Sequence, residues 1–116
     1  MMWLAWAFAG IAAVVIVKMW FGGPSPEALA EIRRSIEAGG ALVDVRTPRE
    51  FAGGHLPDAV NVPLDQLPKG LGKMPKSRTI VVYCASGARS AAAARQLRAA
   101  GWTTVMDLGS HRNWRR

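Results

Sequence analysis

At 116 residues the chain has room for one small domain plus whatever its N-terminus contributes. Fifteen Lys and Arg against eight Asp and Glu give a formal charge of +7, but the basic residues are scattered. No basic–aromatic run, helix-turn-helix or zinc-finger pattern supports a nucleic-acid partner. The single cysteine, Cys84, excludes an intramolecular disulfide and a Cys-based metal framework. His55 and His111 lack ligand spacing, so no metal site is expected.

In chain order, the first element is apolar. Met1 to Val17 carries no charged side chain, and after Lys18 the apolar character resumes with Met19-Trp20-Phe21. Roughly 20 residues at about 1.5 Å each reach roughly 30 Å, enough to cross a hydrocarbon core. Lys18 can snorkel, and Trp3, Trp6, Trp20 and Phe21 suit the interfaces. A cleaved signal peptide would need a basic n-region, which is missing, and its small-x-small candidate, Ala28-Leu29-Ala30, falls inside a predicted helix. The segment 1–21 therefore reads as an uncleaved, single-pass membrane anchor in the lipid bilayer. Ala5, Ala9 and Ala13 form a small-residue stripe that could pair two anchors into a homodimer. Lys18, Arg33 and Arg34 follow the apolar segment and no Lys or Arg precedes it, which puts the downstream domain on the cytoplasmic side.

Residues 22–25 read as a hinge around Gly22-Gly23-Pro24, and 26–116 as the folded domain. Ser25 caps a helix with Pro26 at its first position, running to about Ala38 and stopped by Gly39-Gly40. Ala41 to Val45 reads as a buried strand. Thr47-Pro48-Arg49-Glu50 is a capping box that opens a short helix, ended by Gly53-Gly54. Ala59 to Val62 is a second strand, Pro63 to Leu67 a helical turn, and Pro68 to Arg78 an exposed loop. Thr79 to Tyr83 is a third strand, Ser90 to Ala100 a helix, and Thr103 to Leu108 a last strand. Strands alternating with helices predict an α/β domain whose mainly parallel sheet is flanked by helices. Active sites of such sheets lie at the strands' carboxyl ends, where Asp44-Val45-Arg46 and Cys84 both fall. The tail His111-Arg112-Asn113-Trp114-Arg115-Arg116 reads first as a solvated end and second as a contact for anionic headgroups.

The segment Cys84-Ala85-Ser86-Gly87-Ala88-Arg89-Ser90 carries the chemistry. It places the one thiol between an apolar β-branched strand and a helix N-terminus, where backbone amides lack intrahelical partners and the dipole favours negative charge. Those groups stabilise a thiolate, the nucleophilic form. Lone cysteines beside buried strands are often inert apolar filler. Filler does not require Gly87, Arg89 and an immediate helix start.

The stretch Asp44 to Phe51, then Gly54-His55-Leu56-Pro57, Ala59 to Pro63, the Cys84 loop, and Leu108-Gly109-Ser110 with Trp114 together resemble single-domain rhodaneses. The resemblance implies a small α/β sulfurtransferase that takes sulfane sulfur onto Cys84 as a persulfide and needs no cofactor. The donor would be thiosulfate or a persulfide, either a small molecule or one carried by a partner protein, and the acceptor a thiol or cyanide. Ala85, Ser86, Gly87, Ala88 and Arg89 would hold the persulfide anion through their amides. Arg89 either offers its fork to an anionic donor or closes the loop on backbone carbonyls. Asp44 and Arg46 would order loops near the site, with Arg46 also able to add positive potential. His55 would bond local backbone, and Glu50 would serve as half of the capping box. Asp58 stands where the family pattern usually has Gly, which predicts altered backbone geometry before Ala59. Ala85 and Ala88 stand where efficient thiosulfate users often carry basic side chains.

Two other functions share these residues. A Cys-based phosphatase or arsenate reductase uses the same strand–Cys–loop–Arg–helix logic, but with the Arg six positions on; here Arg89 comes five after Cys84, a tighter cradle. A non-catalytic, membrane-tethered interaction module would not need the intact cysteine.

Overall fold

The computed structural model describes residues 23–115, and the predicted anchor, 1–21, lies outside them. Among the described residues no helix is long and apolar enough to cross a membrane. The first described element is helix α1 (Pro26–Glu37), whose Ser25 cap accepts from the Ala28 amide at 3.1 Å. Strand β1 (Ala41–Asp44) follows, then the short helix α2 (Pro48–Ala52). Both arms of the predicted box form in α2: Thr47 Oγ1 accepts from the Glu50 amide and Glu50 Oε1 from the Thr47 amide, each at 3.2 Å. Strand β2 (Val60–Asn61), two 3-10 turns, β3 (Ile80–Cys84), α3 (Ala88–Ala99), β4 (Val105–Ser110) and a terminal 3-10 turn (His111–Arg115) complete the order.

The four strands are parallel, in the order β2-β1-β3-β4. β1 and β3 are central and buried along their whole length, as expected of strands covered on both faces. Alternation then sorts the side chains. Val43, Ile80, Val82 and Cys84 meet Ala93, Ala94 and Leu97 of α3 on one face. Leu42, Val81, Tyr83 and Leu108 meet Leu29 and Ile32 of α1 on the other. Cys84 thus lies on the α3 side, and Tyr83 on the side of α1.

Three details depart from the predicted elements. The stretch expected as an exposed loop contains a 3-10 turn, Lys69–Leu71, whose Leu71 is buried beside Val62 in the α3-side core. Its Pro, Gly and Lys content conceals one apolar anchor. β2 is reduced to two residues at the sheet edge. β4 runs past Leu108 to Ser110, because the register slips between Val82 and Tyr83, so that Gly109, at φ 78°, faces Tyr83. A bulge of this kind re-aims the strand end, and it leaves Ser110 opposite Cys84.

Asp58 has φ 63°, in the left-handed region, and is the only non-glycine residue with positive φ among those described. The aspartate therefore adopts backbone geometry that glycine takes without strain. Asp58→Gly is expected to stabilise the domain by about 0.5–1 kcal/mol, after allowing for glycine's greater freedom in the unfolded chain. Thermal unfolding should show a rise of a few degrees. A lower melting temperature would mean that the aspartate side chain outweighs the strain.

Candidate functional site

The site begins where β3 leaves the sheet. Cys84 is fully buried, and residues 85–87 turn the chain into the N-terminus of α3. Gly87 supplies φ 105° at the helix cap, a conformation that a side chain would strain. The turn brings two amides onto the sulfur: Cys84 Sγ accepts from the Gly87 N–H at 3.0 Å and from the Ser90 N–H at 3.4 Å. The Ser90 hydroxyl donates to the Gly87 carbonyl at 3.0 Å and pins the loop to the helix. Of the loop amides 85–89, that of Gly87 bonds the resting Cys84 sulfur. The second donor is Ser90, which reading the loop as 85–89 misses because the amides of the first helical turn are equally free of intrahelical partners.

The Arg89 fork does not close the loop on backbone carbonyls; it is held by a carboxylate from α2. That carboxylate is Glu50, Nη1 donating to Oε1 at 2.6 Å and Nη2 to Oε2 at 3.0 Å. Glu50 is therefore both half of the α2 capping box and the partner that ties α2 to the cysteine loop. The Arg89 fork, helped by the Thr47 amide, holds the Glu50 carboxyl at a pKa of about 2, down from 4.5. A depressed carboxyl pKa favours the folded state above the unfolded value, and that advantage fades as the unfolded chain takes up the proton first. Glu50→Gln should therefore lower stability most at neutral pH. The gap to the native protein should narrow as pH falls from about 4.5 to about 2, as chemical denaturation at several pH values would measure. A gap constant across that window would mean that the ion pair does not couple to folding.

Asp44 and Arg46 form a second, deeper pair. Arg46 Nη2 donates to Asp44 Oδ2 at 2.7 Å, Nε lies 3.1 and 3.0 Å from Oδ1 and Oδ2, and the Arg46 amide reaches Oδ1 at 2.9 Å. Arg46 Nη2 also donates to the Gly54 carbonyl at 2.7 Å, fixing the end of α2. Asn61 Nδ2 clamps the same corner from β2, donating to the carbonyls of Asp44 and Arg46 at 3.0 Å each. The Arg46 guanidinium sits 5.9 Å from the Tyr83 ring centroid. The Tyr83 hydroxyl accepts from the Leu56 amide at 3.1 Å, and burial pushes its pKa up to about 12. The sequence gives no signal of these polar roles for Asn61 and Tyr83, a lone Asn in a short strand and a Tyr in an apolar run.

His55 is exposed, stacked on Phe51 at 3.9 Å between centroids, with Nδ1 2.8 Å from the Leu56 carbonyl. It borders a cleft of about 490 Å³ together with Arg46, Arg49, Glu50, Leu56, His111 and Arg115. This cleft lies beside the cysteine loop, since Glu50 binds Arg89, and His111 follows the Ser110 that pairs with Cys84. Burial, with Arg46 and Arg112 nearby, lowers the His111 imidazole pKa below its ordinary value. Among the described residues no group of His, Cys, Asp and Glu could hold a metal ion.

Comparison with known proteins finds the same fold. The chain matches the family described as "Rhodanese-like domain" over residues 27–116. It is 45% identical over 67 residues to a sulfurtransferase of Allochromatium vinosum, covering 58% of this chain and 63% of that protein. It is 36% identical over 104 residues to the chloroplastic thiosulfate sulfurtransferase 16 of Arabidopsis thaliana, covering 78% and 87% of the two chains. The chain spans between about half and two thirds of the length of the first three curated relatives. Among solved structures it is similar to the human single-domain sulfurtransferase TSTD1, with a TM-score of 0.67, 28% identity and coverage of 74% and 90%.

Proposed function

The chain belongs to the rhodanese-like domain family, and from that premise we propose that it is a sulfurtransferase working through a persulfide on Cys84. The observation that carries the reading is the Cys84 sulfur accepting two amides, of Gly87 and Ser90, at the N-terminus of α3. The Cys84 thiolate attacks the outer sulfur of a donor. With thiosulfate, the S–S bond breaks, the electron pair leaves with sulfite, and the outer sulfur stays on Cys84 as a persulfide anion. Attack by cyanide or a thiolate on that sulfur returns the Cys84 thiolate, and no external oxidant or reductant enters. The two amides and the helix dipole favour negative charge on the sulfur at both stages. Because Cys84 is fully covered in the resting domain, the loop 85–87 must part to admit the donor.

A phosphatase or arsenate reductase would need its loop arginine for the tetrahedral oxyanion. Here both branches of the Arg89 fork are engaged by Glu50, which disfavours that reading. A non-catalytic module would have no use for two amides aimed at the sulfur. One assay separates the three. Donor treatment leaving cyanolysable sulfur on the full-length protein supports transfer, turnover of an aryl phosphate supports the phosphatase, and neither result supports the interaction module.

The single-pass anchor at 1–21, with the domain on the cytoplasmic side, completes the proposal, supported by the apolar length and by the basic residues that follow it. A cysteine introduced at exposed Lys73 in a Cys84→Ser background should resist a membrane-impermeant thiol reagent in sealed spheroplasts and react after lysis. Reaction before lysis would put the domain on the outer side.

A further inference from the structure

The cysteine loop holds no cation free to meet a donor's charge. Ala85 and Ala88 carry methyl groups, and Arg89 is committed to Glu50. Positive charge without an ion-pair partner collects one step away, in the cleft between α2 and the terminal 3-10 turn. Of the charged residues lining it, Arg46 is balanced by Asp44 and Glu50 by Arg89. Arg49 and Arg115 remain, with no ion-pair partner among the described residues, and the His111 ring lies between basic neighbours. At about 490 Å³ the cleft lies within the range of small-molecule sites, roughly 300–1,000 Å³, and thiosulfate would fill only a fraction of it.

We propose that this cleft binds the carbon skeleton of the sulfur donor, and that the donor is a low-molecular-weight thiol persulfide bearing carboxylates. The assignment rests on the sulfurtransferase reading for its chemistry and on the cleft for its specificity. Arg49 and Arg115 receive the carboxylates as planar, bidentate partners. Once the loop 85–87 has parted, the persulfide end extends past Glu50 and Arg89 to Cys84. The Cys84 thiolate attacks the outer sulfur, the S–S bond breaks, and its electron pair leaves on the inner sulfur as the donor's thiolate. The proton of a protonated persulfide travels with the transferred sulfur, so charge and atoms balance with no further reactant.

Binding is tested apart from transfer. The full-length Cys84→Ser protein in detergent micelles is titrated calorimetrically at low salt with S-methylglutathione, an unreactive tripeptide with two carboxylates. Its diethyl ester and inorganic phosphate serve as controls. S-methylglutathione should bind, and both esterification and the Arg49→Ala/Arg115→Ala pair should weaken binding by at least about tenfold, the usual effect of losing a charge-assisted hydrogen bond. Circular dichroism should show the variant folded, since both side chains are exposed. No binding, equal binding of the ester, equal binding of phosphate, or indifference to the two substitutions would each overturn the assignment. The second arm uses native Cys84 with glutathione persulfide and with its diethyl ester. Preference for the free acid in sulfur loading should fall about tenfold in the double variant. If the analogue binds as expected but neither donor nor thiosulfate leaves sulfur on Cys84, the cleft stands as a site for a carboxylated thiol and the transfer reading falls.

Discussion

Cys84→Ser is expected to eliminate sulfur transfer while leaving the domain folded. Serine nearly conserves the volume of a side chain packed among Val82, Ala93 and Leu97. Its hydroxyl can accept the Gly87 and Ser90 amides that now point at sulfur, so no buried donor loses its partner. An alkoxide is a poor nucleophile toward sulfane sulfur and cannot store it as a persulfide. Mass spectrometry after donor treatment should show one added sulfur atom on the native protein and none on the variant, with no cyanolysable sulfur recovered. Cys84→Ala makes a sharper comparison. It is equally inactive but leaves both amides without an acceptor, so it should be less stable than the serine variant by about 1–3 kcal/mol. Transfer persisting in either variant would move the nucleophile away from Cys84, and the proposed mechanism with it.

Local signals in the sequence were enough for most of the fold. The Ser25 and Thr47 caps, the Gly39-Gly40 stop and the apolar runs at 41–45 and 79–83 each act over a few residues, and the helices and central strands form where they indicate. Differences arise where the deciding force is not local. Leu71 is drawn into the core by side chains that are distant in sequence, which composition cannot show. The continuation of β4 to Ser110 depends on pairing with β3 through a bulge, and Gly109 in isolation reads as a stop.

The site divides in the same way. Cys84, Gly87 and the start of α3 are legible because strand, thiol, glycine and helix are adjacent in sequence. Arg89 is legible as part of the loop, but its contact with Glu50 is not, because that partner lies 39 residues upstream and is already accounted for by the capping box. A carboxylate with two oxygens can serve a cap and an arginine together, and only the approach of α2 to the loop reveals the second use. Arg49, His111 and Arg115 converge on one cleft from opposite ends of the domain. Their spacing in sequence carries no trace of that meeting.

The largest stability effect is expected from Asp44→Ala. The Asp44 side chain is fully buried and that of Arg46, at the wall of the cleft, is 9% exposed, so water offers the pair little compensation. Removing the carboxylate strands a buried guanidinium and takes the acceptor from the Arg46 amide. Breaking a buried pair on one side costs about 3–5 kcal/mol, a large share of the roughly 5–15 kcal/mol that holds a domain folded. Thermal unfolding should fall by more than about 12 °C. Asp44→Asn keeps an acceptor oxygen and should fall between the two. Removing the pair as a whole, with Asp44→Leu and Arg46→Met together, should be less damaging than Asp44→Ala alone, because no unpaired charge remains. The double variant also releases the Gly54 carbonyl that Arg46 holds at the end of α2. α2 carries Glu50, and Glu50 holds Arg89 at the cysteine loop. The refolded double variant should therefore load sulfur on Cys84 more slowly than the native protein at a temperature where both are fully folded. Native loading rates in that variant would confine Asp44 and Arg46 to stability, and an Asp44→Ala protein melting within a few degrees of the native one would remove even that role.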